Sequence, residues 1–494
     1  MPHVERTIKH CSNTPNSTTL GSIHLHPEAN LVNQRNSHSY SAGKQRHRIF
    51  SEIAGAVALQ AILNLPFWLL TIRYSIVRPI LNADFIVALL AAPFGIAIQI
   101  ALVILIWLLD AAQSMSFIYH FSSATEFFAS FEFAKHLGWR HFVTIEAFVV
   151  LFVFSCCLVV AALFMKRVKP RRLVIFCVFT IVTTADIVNG SGAPLMLDSH
   201  SLRLPYNIQG STALNLGIQI TQARTGSAKP LAKLDPLPAV NPVRWAEQHP
   251  SGSILIILVE SWGLNSDPQL ADWLRGKLVN PSILSKWRVQ NLTVPFRGAT
   301  TAGELRILCG LSGHYSRLTA AQGQDCLVEK VHKLGFETIA MHGFTGNMFN
   351  RISWWPVLGF SKTLFTESIP TITPKCGGSF QGLCDNYMLN LAKSELGPRK
   401  LVYLLTLNTH LPLLALPIQQ DLIDLCARRG ISENVCQLTS QLGAVLSTAS
   451  NVLLSLKDLP YTIVAGDHSP PFLVNKDRLA FNQALVPMLV LEPN

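Results

Sequence analysis

The stretch Ile254-Leu-Ile-Ile-Leu-Val-Glu-Ser-Trp262 begins with six apolar residues, which are followed directly by Glu260. A short run rich in Ile, Leu and Val predicts a β-strand, here over Ser253–Val259. Similar runs recur at Leu292–Pro295, Glu337–Met341, Leu401–Leu407, Tyr461–Ala465 and Val486–Leu491. Segments of helical character lie between several of them. Residues 251–494 are therefore predicted to form an α/β domain with a mostly parallel central sheet covered by helices.

The N-terminal part of the chain has a different composition. The whole chain of 494 residues is 49% hydrophobic and only 14% charged, with a mean hydropathy of +0.33. These values exclude a disordered chain and argue against a fully soluble one. Residues 50–165 contain only ten Asp, Glu, Lys or Arg residues, which predicts membrane-spanning helices.

Apolar length and basic charge together predict five spans over residues 50–190. The candidate spans are Ile53–Thr71, Phe85–Leu109, Met115–Phe133, Phe142–Met165 and Leu173–Val188. The basic clusters Lys44–Arg48 and Lys166–Arg172 should both face the cytoplasm. An even number of crossings must separate them, so Met115–Phe133 is counted as a span although it contains Glu126 and Glu132. These acids could face a lipid-headgroup groove, or they could mark a span end near the interface.

The predicted topology sets the other boundaries. Residues 1–49 are polar and basic, and they predict a disordered cytoplasmic tail rather than a secretory signal. Five spans place the chain beyond residue 190 outside the cytoplasm. Residues 191–250 contain Gly, Ser, Pro and scattered charge and predict an extended connector with some local helix.

Six cysteines in the exported domain predict three disulfides, because an oxidising compartment favours paired cysteines. Six cysteines allow 15 pairings. The preferred pairing joins sequence neighbours, namely Cys309–Cys326, Cys376–Cys384 and Cys426–Cys436. No C-x-x-C pair occurs in this domain, which argues against a cysteine metal site.

Three predicted strands end in polar residues. Glu260 follows the first strand, His410 follows Leu401–Leu407, and the pair Asp467-His468 follows Tyr461–Ala465. In open α/β sheets, ligands bind beyond the carboxyl ends of the strands. Each residue alone would fit an ordinary loop. A Glu, an Asp and a His gathered at one edge predict a divalent-metal site with mixed oxygen and nitrogen ligands.

A fourth segment, Phe296-Arg-Gly-Ala-Thr-Thr-Ala-Gly-Glu304, follows a strand and surrounds two threonines with small residues. Small residues leave room for a ligand near a helix N-terminus. Metal coordination can activate a Thr hydroxyl as a nucleophile. Thr300 or Thr301 could also cap the helix that holds Glu304, and the two interpretations are compatible.

The order of these motifs resembles the alkaline phosphatase/sulfatase superfamily. More narrowly, the chain resembles lipoteichoic acid synthases, phosphoglycerol transferases and phosphoethanolamine transferases, over most of residues 50–494. The resemblance implies five N-terminal spans and an extracytoplasmic sulfatase-like catalytic domain. It also implies a monomer in the bacterial inner membrane, with the catalytic domain on the periplasmic side.

The resemblance assigns a metal and a nucleophile. The metal ligands are matched by Glu260, Thr300, Asp467 and His468. Thr300 matches the nucleophile because Glu304 lies four residues after it, and Thr301 is the fallback. No histidine follows His468, which favours one divalent ion, Zn or Mn, over a pair.

The resemblance also assigns residues to the substrate. The stretch Met341-His-Gly-Phe-Thr-Gly-Asn-Met-Phe-Asn-Arg351 is similar to a family segment, which makes Arg351 a phosphate clamp and His342 a substrate contact. His410, within Leu407-Asn-Thr-His-Leu-Pro412, matches an acid/base or phosphate ligand. Trp354 or Trp355 is expected to line the pocket.

Some features depart from the family pattern. Little chain follows Val486–Glu492, where a further C-terminal subdomain is usual in the family. The identity of the transferred head group is left undecided between glycerol phosphate and phosphoethanolamine. The Cys/Ser-x-Pro-x-Arg motif of true sulfatases does not occur at Thr300, which disfavours a sulfatase.

Three functions are compatible with these residues. The first is transfer of a phospho-alcohol head group, glycerol phosphate or phosphoethanolamine, from a membrane phospholipid donor to a glycan or lipid acceptor through a phospho-threonine. The second is a membrane-anchored phosphodiesterase or sulfuric ester hydrolase with water as acceptor. The third is a non-catalytic relative in envelope assembly. Nucleic acid is not an expected partner, because no basic stripe alternates with aromatic residues.

Overall fold

The structure is a computed structural model of the whole chain. It describes residues 28–74, 81–121, 145–167, 181, 209–213, 216–217, 220–221, 231–235, 240–370, 373–378 and 380–494. Two compact units are present, Met1–Gly55 and Ala56–Asn494. The second unit contains the entire α/β domain together with the apolar helices from residue 56 onward.

Three helices in the N-terminal part are long and apolar enough to cross a membrane. The elements are α1 (Glu28–Tyr74), β1 (Leu81–Asn82), α2 (Phe85–Leu90), a 3-10 turn (Ala92–Phe94), α3 (Ile96–Ile118), α4 (Ile145–Arg167), β2 (Gln209–Gly210) and β3 (Ala232–Lys233). The segments of sufficient length are Phe50–Tyr74, Ile96–Ile118 and Ala147–Lys166. They agree with the first, part of the second and the fourth predicted spans.

The N-terminal helices differ from the sequence prediction in two places. Helix α1 begins at Glu28, so residues 28–49, predicted as a disordered tail, continue the first span as one helix. The predicted span Phe85–Leu109 is broken instead. Gly95 has a φ of 95°, which ends one helical segment and starts the next.

The helix that follows Gly95 takes in residues 115–118, so Met115 does not begin a new span. Residues 122–144, with Glu126 and Glu132, lie outside the described residues, as does almost all of Leu173–Val188. The count of five spans stays a prediction.

Buried polar groups join the helices to the connector. The Asn82 backbone N–H donates to Asn64 Oδ1 at 2.8 Å. The Asn82 side-chain amide donates to Asp110 Oδ2 at 3.2 Å and to Thr212 Oγ1 at 3.1 Å. Strand β1 pairs in parallel with β2 at this point. Polar groups among apolar helices need hydrogen-bond partners within the protein, and this cluster holds the connector residues Gln209–Thr212 against the helices.

A seven-stranded sheet forms the centre of the α/β domain. Its elements in chain order, with the short flanking strands, are β4 (Ser253–Val259), β5 (Trp287–Pro295), β6 (Leu311–Ser312), β7 (Glu337–His342), β8 (Lys362–Leu364), β9 (Lys375–Cys376), β10 (Gly382–Leu383), β11 (Lys400–Leu405), β12 (Tyr461–Gly466) and β13 (Leu485–Pro493). The order across the sheet is β5-β13-β12-β4-β11-β7-β8. Neighbours from β12 to β8 are parallel, and β13 and β5 are antiparallel. The predicted mostly parallel sheet is confirmed.

Helices cover both faces of this sheet. They are α5 (Pro242–Gln248), α6 (Pro268–Leu278), α7 (Pro281–Leu284), α8 (Thr300–Cys309), α9 (Ala320–Gly323), α10 (Leu327–Lys333), α11 (Arg351–Trp354), α12 (Asp385–Glu395), α13 (Gln420–Arg429), α14 (Glu433–Leu454) and α15 (Asn475–Leu479). The side chains of β4 alternate between two hydrophobic cores, with Leu255 and Ile257 on one face and Ile254 and Ile256 on the other. A strand buried on both faces needs a continuous apolar sequence, which explains the run that ends at Glu260.

Three disulfides lie in this domain. They join Cys309 to Cys326, Cys376 to Cys384, and Cys426 to Cys436. The predicted pairing of sequence neighbours is confirmed. The second disulfide closes the antiparallel β9–β10 hairpin, and the third joins α13 to α14.

Candidate active site

Four adjacent strands carry the candidate residues to one edge of the sheet. Strands β12, β4, β11 and β7 lie side by side and run in parallel, so their carboxyl ends meet there. Glu260 follows β4, Asp467 and His468 follow β12, His342 ends β7, and His410 lies in the loop after β11. The sequence prediction that these residues share an edge is consistent with the sheet order.

Glu260, Asp467 and His468 form a cluster of possible metal ligands. One ligand atom from each lies within 4.8 Å of the others, and all three side chains are buried. His468 Nε2 is 3.2 Å from Asp467 Oδ2 and 3.7 Å from Glu260 Oε1. Two carboxylates and one imidazole suit a borderline divalent cation such as Zn or Mn.

The tautomer of His468 suits a metal ligand. Its Nδ1 donates to the Ser469 carbonyl oxygen at 2.9 Å. Because a carbonyl oxygen only accepts, Nδ1 carries the hydrogen and the neutral ring has its lone pair on Nε2, facing the carboxylates. Metal-binding histidines commonly use one ring nitrogen this way while the other binds the metal.

The charges at the cluster are unbalanced without a cation. Burial and the nearby Glu260 raise the pKa of Asp467 well above its usual value. Burial opposes ionisation of Glu260 too, but the combined effect of His410, His468 and hydrogen bonds with Asp467 and Ser261 lowers its pKa. Asp467 Oδ2 is buried without a hydrogen-bond partner among the described residues. A bound cation would satisfy this oxygen and offset the repulsion between the carboxylates.

Thr300 is the first residue of helix α8, next to this cluster. Its Oγ1 donates to Glu260 Oε2 at 3.2 Å and lies 3.3 Å from His468 Nε2. The N-cap residue is Ala299, which makes no side-chain hydrogen bond. The alternative in which Thr300 or Thr301 caps the helix is therefore wrong. The free N–H groups of a helix N-terminus favour an anion at this position, as a phosphate group would be.

Glu304, one turn after Thr300, is the centre of a buried network. Arg351 Nε and Nη2 both donate to Glu304 Oε2, at 3.1 and 2.9 Å. Trp355 Nε1 and the Tyr403 hydroxyl donate to Glu304 Oε1, at 2.9 and 3.3 Å. The network holds helix α8 against β11. The predicted roles of Arg351 as a phosphate clamp and of the tryptophans as a pocket lining stay predictions.

Trp354 lies apart from this network. Its Nε1 donates to the Phe349 carbonyl oxygen at 3.1 Å, and its ring stacks on Tyr315 with centroids 5.6 Å apart. Of the two tryptophans, Trp355 is the one that donates to Glu304 of helix α8.

The two remaining histidines differ in environment. His342 is buried and its Nδ1 donates to the Leu405 carbonyl oxygen at 3.1 Å. Desolvation, together with the Arg351 charge, lowers the pKa of His342 to about 3, so its ring is neutral. His410 is half-buried, donates from Nδ1 to the Leu411 carbonyl oxygen at 2.7 Å and packs edge-on against Phe380. Its accessibility suits contact with a substrate.

Several supporting residues were not predicted from the sequence. Thr406 Oγ1 accepts from the Glu260 N–H at 2.9 Å, and Thr409 Oγ1 donates to the Glu260 carbonyl oxygen at 2.5 Å. Arg306 donates to the carbonyl oxygens of Gly466 and Asp467, at 2.6 and 3.1 Å. Thr406 and Thr409 lie at the end of the predicted strand Leu401–Leu407. Their polarity at that position is the sequence feature from which they could have been predicted.

Asp385 also supports the site. Its carboxylate accepts from the backbone N–H groups of Leu407 and Asn408, at 2.9 and 2.8 Å, and so shapes the loop that carries His410. Burial raises the pKa of Asp385 to about 7. Nothing in the local sequence distinguishes this residue from an ordinary helix-starting aspartate.

No protein-family profile matches the chain, and no curated protein matches it. Three similar solved structures are a lipoteichoic acid synthase from Listeria monocytogenes, a phosphoglycerol transferase from Streptococcus pyogenes and the C-terminal periplasmic domain of EptC from Escherichia coli, solved with Zn. Their identities to this chain are 14%, 18% and 13%, and the TM-scores are 0.36, 0.36 and 0.31.

These matches cover part of each protein. They include 49%, 49% and 54% of this chain and 65%, 68% and 77% of the matched chains, in the same order. The chain thus spans slightly less than two thirds of the Listeria structure. At this level of similarity, no conclusion on substrate or reaction follows from these matches.

Proposed function

We propose that the chain is a membrane-embedded phosphotransferase that moves a phospho-alcohol head group from a membrane phospholipid to a cell-envelope glycan or lipid. One observation carries the proposal. The Thr300 hydroxyl oxygen lies within 3.3 Å of two of the three candidate metal ligands and at a helix N-terminus. A buried threonine in that position suits covalent catalysis on a phosphate ester.

Glu260, Asp467 and His468 are the residues that would hold a single divalent ion, with the Thr300 hydroxyl beside them. When bound, such an ion lowers the pKa of a coordinated hydroxyl and offsets the negative charge of a phosphate. The family resemblance makes Zn or Mn the expected ion.

In the first half-reaction, Thr300 Oγ1 attacks the phosphorus of the phospholipid. A bond forms between this oxygen and phosphorus, and the bond from phosphorus to the diacylglycerol oxygen breaks. Thr300 Oγ1 donates a hydrogen bond to Glu260 Oε2, and in this scheme Glu260 accepts the hydroxyl proton as the new bond forms. His410 gives a proton to the departing diacylglycerol oxygen. The phospho-alcohol stays on Thr300.

In the second half-reaction, the acceptor hydroxyl attacks the phospho-threonine. His410 takes the acceptor proton, the bond between phosphorus and Thr300 Oγ1 breaks, and the threonine oxygen takes back the proton that Glu260 accepted in the first half-reaction. The phospho-alcohol is then on the glycan or lipid acceptor. The apolar helices suit a donor that lies in the bilayer, and the basic clusters Lys44–Arg48 and Lys166–Arg172 support a site on the periplasmic side of a bacterial inner membrane.

Intact-mass spectrometry of the full chain purified with phospholipid tests the covalent step. We expect an added mass on Thr300 that equals one phospho-alcohol and identifies the head group. Thr300→Ala should remove the adduct, and Thr301→Ala, a matched change one residue away, should keep it. A wild-type protein that turns over with metal bound but never carries an adduct would contradict the scheme.

The acceptor is tested separately, with a fluorescent diacyl phospholipid. Diacylglycerol together with a labelled envelope acceptor supports transfer. Diacylglycerol together with free phospho-alcohol would support the hydrolase, which uses the same residues. An unchanged envelope phenotype in Thr300→Ala cells would support the non-catalytic alternative.

A further inference from the structure

His120 lies two residues beyond the end of the apolar helix α3, yet it reaches the candidate active site. The residue is only 5% exposed and adopts a left-handed backbone conformation, with a φ of 58°. This conformation is uncommon for residues other than glycine. It turns the chain at the helix end and directs the ring to the catalytic domain.

The His120 ring contacts the loop that carries the candidate metal ligands. Its Nε2 donates to the Ser469 carbonyl oxygen at 3.0 Å. The same oxygen accepts from His468 Nδ1 at 2.9 Å, and the two imidazole rings lie 5.5 Å apart. One carbonyl oxygen thus links a residue just beyond helix α3 to the orientation of a candidate ligand.

His120 also contacts the turn that carries the candidate nucleophile. Its ring packs edge-on against Phe296, with centroids 5.3 Å apart. The His120 carbonyl oxygen lies near Gly298, since a Cβ atom added to that glycine would come within 3.7 Å of it. Gly298 is two residues before Thr300. His120 therefore lies between the two segments whose separation sets the distance from Thr300 to His468.

A second contact ties the same loop to another apolar helix. The Arg478 guanidinium donates to the carbonyl oxygen of Tyr74, the last residue of α1. It also donates to the carbonyl oxygens of Phe472 and Leu473, at 2.7 and 2.6 Å. The loop after β12 is thus held at the C-terminal ends of both α1 and α3.

We propose that His120 is a positioning residue through which membrane helix α3 sets the geometry of the metal ligand His468 and the nucleophile Thr300. The assignment of those two roles rests on the proposed function. His120 does not touch the reacting atoms; it acts through the Ser469 carbonyl group and the Phe296–Thr300 turn. Because the contact lies just beyond a helix long enough to span a bilayer, it holds Thr300 near the level of phospholipid head groups.

Two substitutions separate hydrogen bonding from packing. His120→Leu fills much of the same space without a donor, and His120→Gln keeps a side-chain N–H. His332 is the matched control: it is exposed on α10, and its Nδ1 also donates to a carbonyl oxygen, that of Phe336, at 3.2 Å. All variants are made in the full chain, purified in detergent and tested with zinc and a fluorescent phospholipid.

We expect His120→Leu to weaken zinc affinity, measured by chelator competition, by about 10-fold or more, as is typical when a partner of a ligating histidine is lost. Its kcat should fall by a similar factor with little change in KM, because substrate binding is not disturbed. His120→Gln should recover most of both losses. His332→Gln should match wild type.

Two results would overturn the proposal. The first is that His120→Leu has the same zinc affinity and the same kcat as wild type. The other is equal losses in His120→Leu and His120→Gln, accompanied by a lower melting temperature of the metal-free protein, since that pattern is a packing defect. Zinc affinity needs no turnover. If wild type transfers no head group but its zinc affinity depends on His120, the proposed function fails and the positioning role stands.

Discussion

Arg351 donates through Nε and Nη2 to Glu304 Oε2, at 3.1 and 2.9 Å, and its Nε also reaches Glu304 Oε1 at 3.4 Å, with neither side chain appreciably exposed. Glu304 lies one helical turn after Thr300, on the same helix. The ion pair therefore joins the helix of the candidate nucleophile to the segment after β7. Removing one member of such a pair leaves a buried charge without a partner.

Glu304→Gln is expected to lower the free energy of unfolding by about 3 kcal/mol, because Arg351 keeps its charge and loses the carboxylate. Urea unfolding of the detergent-solubilised chain measures this loss. The exposed pair Arg275–Asp272 provides the control. Asp272→Asn should change stability by about 0.5 kcal/mol or less. Equal effects of the two substitutions would show that the buried ion pair contributes no more to the free energy of unfolding than the exposed one.

Removal of a candidate metal ligand should sharply reduce activity while the fold is kept. Asp467→Asn replaces one of the two carboxylate oxygens with an amide nitrogen. Oδ2 of this carboxylate has no hydrogen-bond partner among the described residues, and a side-chain amide is a poor ligand for Zn or Mn. We expect at least about a 10-fold loss of metal affinity and a larger loss of turnover. Elemental analysis of the purified protein measures bound metal.

Chelator treatment of wild type should give the same loss, reversible on addition of the metal. Asp424→Asn, an exposed change on α13, should retain wild-type metal content and activity. A metal content in Asp467→Asn equal to that of wild type would exclude Asp467 as a ligand.

The disulfide Cys376–Cys384 should matter for activity beyond its effect on stability. It closes the hairpin next to Phe380, whose ring lies 4.5 Å from that of His410. Replacing both cysteines with Ser should therefore loosen His410 and lower kcat several-fold in protein that is still folded. Kinetics below the melting temperature of the variant measure this effect.

The pair Cys426–Cys436 is the matched control, because it closes a loop of similar length, with a sequence separation of 10 against 8. Loops of this size have similar closure entropy, so both double variants should lose about 2–3 kcal/mol of stability. Only the first should lose activity per folded molecule. Equal kcat values in both variants would exclude a role for the hairpin in positioning His410.

The sheet and the candidate ligands could be predicted from sequence because the relevant signals are local. A strand buried on both faces must be apolar throughout, so the run before Glu260 is visible in the sequence alone. Polar residues at the ends of parallel strands share an edge by geometry, which brought Asp467 and Glu260 together in the prediction. The disulfides followed from short separations along the chain.

The supporting contacts could not be predicted, because they join residues distant in sequence. His120 and Ser469 are 349 residues apart, and Arg306 and Asp467 are separated by 161. No local pattern encodes such a pairing. The break at Gly95 was missed for a different reason. Hydropathy reports the length of an apolar segment, whereas this helix boundary depends on the positive φ of a glycine, which hydropathy does not report.

His342 should make the protein less stable in acid. Its buried ring has a pKa of about 3, whereas an unfolded histidine titrates near 6.5. Between these values the unfolded chain binds a proton that the folded chain does not. Stability from this group is therefore complete above about pH 6.5 and falls by up to about 1.4 kcal/mol per pH unit as the pH decreases toward 3.

His342→Gln isolates this contribution, because glutamine can still donate to the Leu405 carbonyl oxygen but does not titrate. We expect the free energy of unfolding of the metal-free variant to depend less steeply on pH than that of wild type between pH 6 and 4, by about 1.4 kcal/mol per unit. His332→Gln, at an exposed position, should run parallel to wild type. Asp385, with a pKa raised to about 7, changes stability in the opposite direction but equally in all three proteins, so it cancels in the comparison. Parallel lines for His342→Gln and wild type would mean that the His342 ring is already accessible to protons in the folded state.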